Sequence, residues 1–332
     1  MLEHISKILA TEKLLDYLAS GIGATAGPIF RPWQAYMEGH AKRISARADA
    51  DALAIIAEAQ ADARQYLIAP GADVQGAVEI THENIMQRIE FQERKRLANI
   101  RSVVESAAEE LGEKEVVDHE PDHDWTARFF DCVQDVSSEH MQKLWAKVLS
   151  GEVESPGRTS LRTLDTLRNM TKRDAELFDE FAGYVIGGKF VFNDDHFVQR
   201  LGAMKPKYLL HLQDCGLVII APFLRWTGTF GDGERSFFLY QGGALLIEKE
   251  KGASDKLEIP IVSLTAAGKE LFQIVQGSVQ KAYLQDFATF LQNRGCQLYL
   301  VDEVVNLPEG GFNYTSCELI EPRPIQSGMP TL

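Results

Sequence analysis

Cysteine is scarce. The 332 residues hold four, at positions 132, 215, 296 and 317, and none forms a Cys-x-x-Cys pair. That excludes a disulfide-stapled scaffold and fits a reducing compartment. Each thiol reads as a small buried hydrophobe. An excess of basic charge is also missing. Lys and Arg number 34 against 48 Asp and Glu, a formal charge of −14. The deficit runs through the whole chain: 13 basic against 20 acidic side chains in residues 1–120, 10 against 14 in 121–200, and 11 against 14 in 201–332. A generic electrostatic grip on phosphate backbones needs clustered cations, so it is disfavoured. Long apolar runs are absent too. The longest uncharged stretch near the front is Tyr17–Phe30, short of the ~20 residues that a spanning helix needs. It is long enough to lie in a membrane interface and too short to cross one. Met1 is followed by Glu3 and His4, without a basic and then apolar leader. No G-x-S-x-G elbow, G-x-x-x-x-G-K-[ST] loop or internal repeat is present.

What is present is ordinary globular composition, 45% hydrophobic and 25% charged, in a length that suggests two or three domains. The first third reads as helix. Residues 2–20 carry apolar side chains at helical spacing, the stretch 21–32 has glycines and prolines that interrupt them, and the Ala-rich run 33–67 predicts one long helix. A second long helix starts near Thr81 and runs to Leu111. Its seam of Leu97, Ile100, Val104, Ala107 and Leu111 is spaced as in a coiled coil. That seam suits an antiparallel hairpin with residues 33–67 as well as it suits an intermolecular coil.

An acidic linker, 113–124, leads to shorter helices over 125–133, 138–149, 161–170 and 172–186. Thr171 and Asp174 form a capping-box start for the last of these. From Gly187 strands enter: KFVFN, LVIIAPF, FFLYQG, ALLIEKE and IPIVSLT, with short helices over 194–204 and 206–215 between the first two and a helix opening at Thr265. Helices, a hairpin and a closing strand in this order are the layout of a winged helix. A helix over 281–293, further strands and a loose tail follow. The expected architecture is therefore multidomain and α-rich. It has a long-helix assembly region (1–112), a helical bundle (113–186), a winged-helix-like α+β domain (187–277) and a C-terminal helix with strands (278–332).

Few clusters carry chemistry. His119-Glu120-Pro121-Asp122-His123 matches the zinc-protease pattern H-E-x-x-H in letters. That chemistry needs both imidazoles on one helical face, and Pro121 breaks the helix between them. His119, Asp122, His123 and Asp124 remain only weak metal candidates, and the bland reading is a linker in which Asp122 or Asp124 caps the next helix. Gly21, Gly23 and Gly27 are one residue off the dinucleotide fingerprint, with no strand before them; close helix packing or shallow membrane contact explains them better. In the winged-helix region Lys205, Lys207, Tyr208 and His211 would face outward, and Leu209, Leu210 and Leu212 inward. Lys205, Lys207 and His211 are the candidate nucleic-acid contacts. Residues 188–277 hold ten basic and ten acidic side chains, which favours protein contact over DNA reading.

Residues 124–181 carry a fixed-spacing pattern: Asp124-Trp125 with Phe129-Phe130; then Met141-Gln142, Leu144-Trp145, Leu149 and Gly151-Glu152; then Pro156-Gly157, Ser160, Leu161, Arg162 and Leu164. With the upstream helix RKRLANIRSVVESAAEEL, it resembles a bacterial family known as domain of unknown function 2806, over about residues 80–190. The resemblance implies no reaction and no catalytic set; it suggests a link to mobile or defence loci. Read on their own, Trp145, Leu144, Val148 and Leu149 form a buried helix face, and Gly151 ends the helix. Glu152 accepts from Arg158 or Arg162 across the Pro156–Gly157 turn. Glu152 and Arg162 either fix that turn or line a site. The leading expectation is a non-enzymatic, cofactor-free assembly and recognition protein of the bacterial cytoplasm, in an anti-phage or stress system, with homo-oligomers and a protein partner. The alternatives are a winged-helix nucleic-acid-binding regulator and a membrane-active effector using residues 17–30.

Overall fold

The computed structural model describes residues 82–111, 121–193, 206–230, 234–241, 243–275, 277–302, 305–306, 312–313 and 316–323. The helices expected over 2–20, 33–67 and 194–204, the segment 17–30, His119, Lys205 and the C-terminal tail lie outside the described residues. Two compact units divide between Leu164 and Asp165.

In the first unit, α1 (His82–Leu111) runs for 30 residues. It is followed by α2 (His123–Val133), α3 (Glu139–Glu154) and the start of α4 (Leu161–Asn169). α1 packs along α3. Ile100, Val103, Val104, Ala107 and Leu111 are buried, so most of the coiled-coil-like seam lies in the face that serves this unit. A buried amide network sets the register between the two helices. Asn99 Nδ2 donates to Gln134 O at 2.8 Å, Gln142 Nε2 donates to Val136 O at 2.9 Å and to Asn99 Oδ1 at 3.5 Å, and Ser102 Oγ donates to Gln142 Oε1 at 2.9 Å. A sliding shift of one helix would leave these buried groups unpaired. Arg96 adds ion pairs to Glu93 and Asp135.

The expected helix stop at Gly151 is corrected: α3 continues to Glu154, and Ser155 N donates to Gly151 O at 3.0 Å. Glycine inside a helix costs only ~1 kcal/mol. A Cβ here would come within 3.5 Å of the Arg158 side chain.

The second unit opens with α5 (Lys172–Ala182), started by the Thr171/Asp174 capping box. β1 (Phe190–Phe192), α6 (Pro206–Asp214), β2 (Val218–Ile219), β3 (Arg225–Thr229), β4 (Arg235–Tyr240), β5 (Gly243–Lys249) and β6 (Lys256–Leu264) follow. Then come α7 (Ala266–Phe272), α8 (Lys281–Gln292), β7 (Cys296–Asp302), β8 (Val305–Asn306), β9 (Phe312–Asn313) and β10 (Ser316–Leu319). The nine-residue β6 is shared. Its C-terminal half lies between β1 (Phe192↔Ile261) and β2 (Val218↔Leu264), and its N-terminal half pairs with β3 (Thr227↔Glu258). All these pairings are antiparallel, and the order is β1-β6-β2. The strand expected over 217–223 is thus corrected: only Val218–Ile219 is strand, and a turn follows before β3 begins at Arg225.

β3, which the alternation of RWTGT did not announce, carries Trp226. Its indole occupies the space where a Gly228 Cβ would stand and makes edge contact with Phe238. A second antiparallel sheet, β10-β7-β5-β4, packs on α8, which buries Tyr283, Leu284, Phe287, Ala288 and Leu291. Leu209 and Leu212 are core residues, whereas Leu210, expected there, is 55% exposed. Of the cysteines, only Cys132 and Cys296 are buried.

Tyr240 and Tyr283 tie this unit together. Tyr240 Oη donates to Gly183 O at 2.8 Å and accepts from Gln280 N at 3.2 Å; Tyr283 Oη accepts from Phe192 N at 2.9 Å. A Cβ on Gly183 would lie 2.8 Å from Ser278 O, so the close approach there needs glycine.

Two outcomes follow. Gln142→Leu leaves Asn99 and Ser102 short of partners, and urea unfolding should show a loss of about 2–3 kcal/mol; an unchanged midpoint contradicts the network. Burial pushes the Tyr240 phenol up to about 12 and the Tyr283 phenol up as well. A folded-state value above the unfolded one means that stability is fully present below the unfolded value of ~10 and falls as pH rises through the folded value. Thermal unfolding across this alkaline range should show that fall, and Tyr240→Phe should make it shallower.

Candidate functional site

The motif residues of the first unit converge on the turn after α3. Trp125, in the first turn of α2, stacks on Phe129 at 5.1 Å, and Phe129 meets Trp145 edge-on at 5.5 Å. The Trp125 indole N–H donates to Thr159 O at 2.8 Å. Glu152, 1% exposed, accepts from Gly157 N at 2.5 Å and Thr159 N at 2.8 Å. Both backbone polar groups of Thr159 are therefore engaged, one by each helix. Gly157 sits at φ +85°, in the left-handed region that favours glycine. Arg158, offered by the spacing as a partner for Glu152, pairs with Glu154 at 3.6 Å. Glu152 thus accepts through both of its oxygens from the backbone of the turn. Trp145 is fully buried, and its indole N–H has no hydrogen-bond partner among the described residues.

The other candidate residues are spread out. Asp122 is the N-cap of α2 and accepts from Asp124 N at 2.9 Å and Trp125 N at 3.0 Å, as the linker reading expected. His123 and Asp124 lie exposed in the first turn of that helix, and Arg162 lies exposed in the first turn of α4. Lys207 is exposed on α6, its ammonium 5.0 Å from the Tyr208 ring centroid.

His211 is in different company. Its Nε2 lies 2.6 Å from Asp174 Oδ1 and 3.8 Å from Cys215 Sγ. Asp174 belongs to the start of α5 and is nearly buried. Its other oxygen, Oδ2, accepts from Thr171 N at 2.7 Å and Thr171 Oγ1 at 2.8 Å, so the capping box orients Oδ1 toward the imidazole. His211 and Cys215 lie one helical turn apart at the end of α6. The ligand-type atoms of the three residues all lie within 4.8 Å of one another. Burial raises the Asp174 carboxyl, but the bonds from His211 and Thr171 outweigh it and hold the group below its ordinary value. Burial pushes the Cys215 thiol up, helped by the Asp174 and Asp214 carboxylates. The arrangement is not a nucleophilic relay, which needs the thiol on one imidazole nitrogen and the carboxylate on the other; here one nitrogen faces both. Sequence reasoning missed this cluster because Asp174 and His211 are 37 residues apart. The available signal was His-x-x-x-Cys at the end of a short helix.

The architecture defines a class: a helical unit followed by an α+β unit of antiparallel sheets. Residues 83–196, about a third of the chain, match the profile of the family described as Protein of unknown function (DUF2806), which bears out the resemblance to that family. No curated protein and no solved structure matches the chain.

If Glu152 serves the turn, Glu152→Gln replaces one accepting oxygen by a donor that faces a backbone N–H. Chemical denaturation should then show a loss of about 2 kcal/mol. Wild-type stability in this variant would return Glu152 to the list of groups free to act on a ligand.

Proposed function

We propose that this is a non-enzymatic assembly and recognition protein whose second unit is a winged-helix-like module turned toward protein contact. The support for the module is its order. Helix α5, strand β1, helix α6, the split strand β2–β3 and the closing strand β6 follow in sequence, and β6 lies between the first and second strands. That is the strand order of a winged helix, here with the β4–β5 hairpin inserted before the closing strand.

The observation that carries the recognition reading is the outer face of α6. Leu210 is exposed between Lys207 and Asp214, His211 is engaged by Asp174, and the turn after β2 exposes Phe223 at 90%. A surface that reads DNA presents repeated cations to phosphates; this one presents apolar side chains among balanced charge, as the centres of protein contacts do. In the first unit, the family's polar residues serve the turn and the helix register. Self-assembly, the bacterial cytoplasm and an anti-phage or stress setting rest on the Ala-rich helices and on the family resemblance.

The strand order also favours one second reading, a nucleic-acid-binding regulator, and salt dependence separates the two. In the recognition reading, light scattering at micromolar concentration finds an oligomer, and duplex DNA binds no more tightly than a non-specific ~10⁻⁴–10⁻⁶ M at physiological salt. A monomer contradicts the assembly claim. Tight DNA binding with a steep salt slope, lost in Lys207→Ala, transfers the module to the second reading.

A further inference from the structure

We propose that Asp174, His211 and Cys215 form a zinc site on the α5–α6 face of the second unit, with its remaining coordination position open to solvent. Three donor types that suit zinc, a carboxylate oxygen, an imidazole nitrogen and a thiol sulfur, converge here. Asp174 comes from the first turn of α5, His211 from α6, and Cys215 from the residue that follows α6, its N–H still donating to His211 O at 2.9 Å. The His–x–x–x–Cys spacing places the imidazole and the thiol one above the other on α6.

The two distances from His211 are near those of a zinc site, and Asp174 and Cys215 lie within 4.8 Å of each other. Zinc in tetrahedral geometry, with bonds of about 2.0–2.3 Å, holds its ligand atoms roughly 3.3–3.6 Å apart. The 3.8 Å between His211 Nε2 and Cys215 Sγ is close to that already. The 2.6 Å between His211 Nε2 and Asp174 Oδ1 must open, by about 0.7 Å, which a rotation of the half-exposed imidazole supplies. That short contact is a hydrogen bond from the imidazole to the carboxylate; zinc would take its place on Nε2, the ring then carrying its proton on Nδ1, and the thiol proton would be released.

The carboxylate is also prepared in the way that metal ligands are. Thr171 holds Oδ2 through its N–H and its hydroxyl, leaving Oδ1 to point at the site. His211 keeps 49% of its side-chain surface while Asp174 keeps 10%, so the open side is the imidazole side. There a water, or a side chain of a docking protein, would complete the ion's shell. The site stands apart from the recognition reading: a chain that binds zinc here and stays monomeric keeps the site and loses the assembly claim.

Cobalt(II) added to the metal-free full chain is the direct probe, because it reports its ligands by colour. The expected result is one equivalent bound, a thiolate-to-cobalt charge-transfer band in the near ultraviolet, visible bands of four-coordinate intensity, and loss of all of them on addition of zinc. Cys215→Ser should abolish the charge-transfer band. His211→Gln and Asp174→Asn should each weaken cobalt and zinc at least about tenfold, and Thr171→Val by a similar factor through the orientation of Asp174. Cys317→Ser, at an exposed thiol elsewhere, should change nothing. The unmodified chain decides the matter even if a variant folds poorly: cobalt that binds without a thiolate band overturns the proposal, and so does failure to bind cobalt or zinc at micromolar concentration. A band that survives Cys215→Ser, or that disappears with Cys317→Ser, overturns it as well.

Discussion

A buried carboxylate organises the first unit. Glu152 is almost wholly removed from water, and an ionised group there is tolerable only when its oxygens are met by donors. The donors include the N–H groups of Gly157 and Thr159, which bends the chain back over the end of α3. The Thr159 carbonyl then receives the Trp125 indole. Trp125 in turn lies against Phe129, and Phe129 against Trp145. Remove the charge and the turn loses its anchor, with the aromatic stack resting on a loosened edge. The Pro-Gly pair fits this account: proline presets the backbone entering the turn, and glycine adopts the positive φ that the turn requires.

The second unit depends on a different economy. β6 pairs with three other strands, so one nine-residue segment closes the sheet beside α6 and also carries β3. Pro260 within it lacks an N–H, yet its carbonyl still accepts from Asn193 N. Two buried tyrosines complete the unit by satisfying backbone groups that the sheets leave over. A frame fixed at so many points leaves the α5–α6 face as the place where polar chemistry and exposed apolar side chains occur side by side.

Much of this was legible in the residues. Helix caps read well because they are local: Asp122 before α2, Thr171 before α5 and Thr265 before α7 each do what the sequence implied. The helical run of α1 and the strands β4, β5 and β6 were visible in periodicity. The partner of the α1 seam was not, because an a/d spacing specifies an apolar stripe and says nothing of which helix covers it. Gly151 misled because a propensity of ~1 kcal/mol yields to packing. Leu210 misled because three nearby leucines cannot all face inward on one helix. The Asp174–His211–Cys215 cluster was out of reach, since convergence across 37 residues is a property of the fold and of no linear pattern.

The central claim is architectural: Trp125, Glu152 and Gly157 hold a turn, Asn99 and Gln142 hold a helix register, and the proposed recognition belongs to the surfaces that this frame presents. Amide hydrogen exchange tests it most directly. If Glu152 clamps the turn, the amides of Gly157 and Thr159 exchange as slowly as those in the middle of α3, because both open only when the unit does. Exchange at those two amides at the rate of an exposed loop, with α3 still protected, would contradict it.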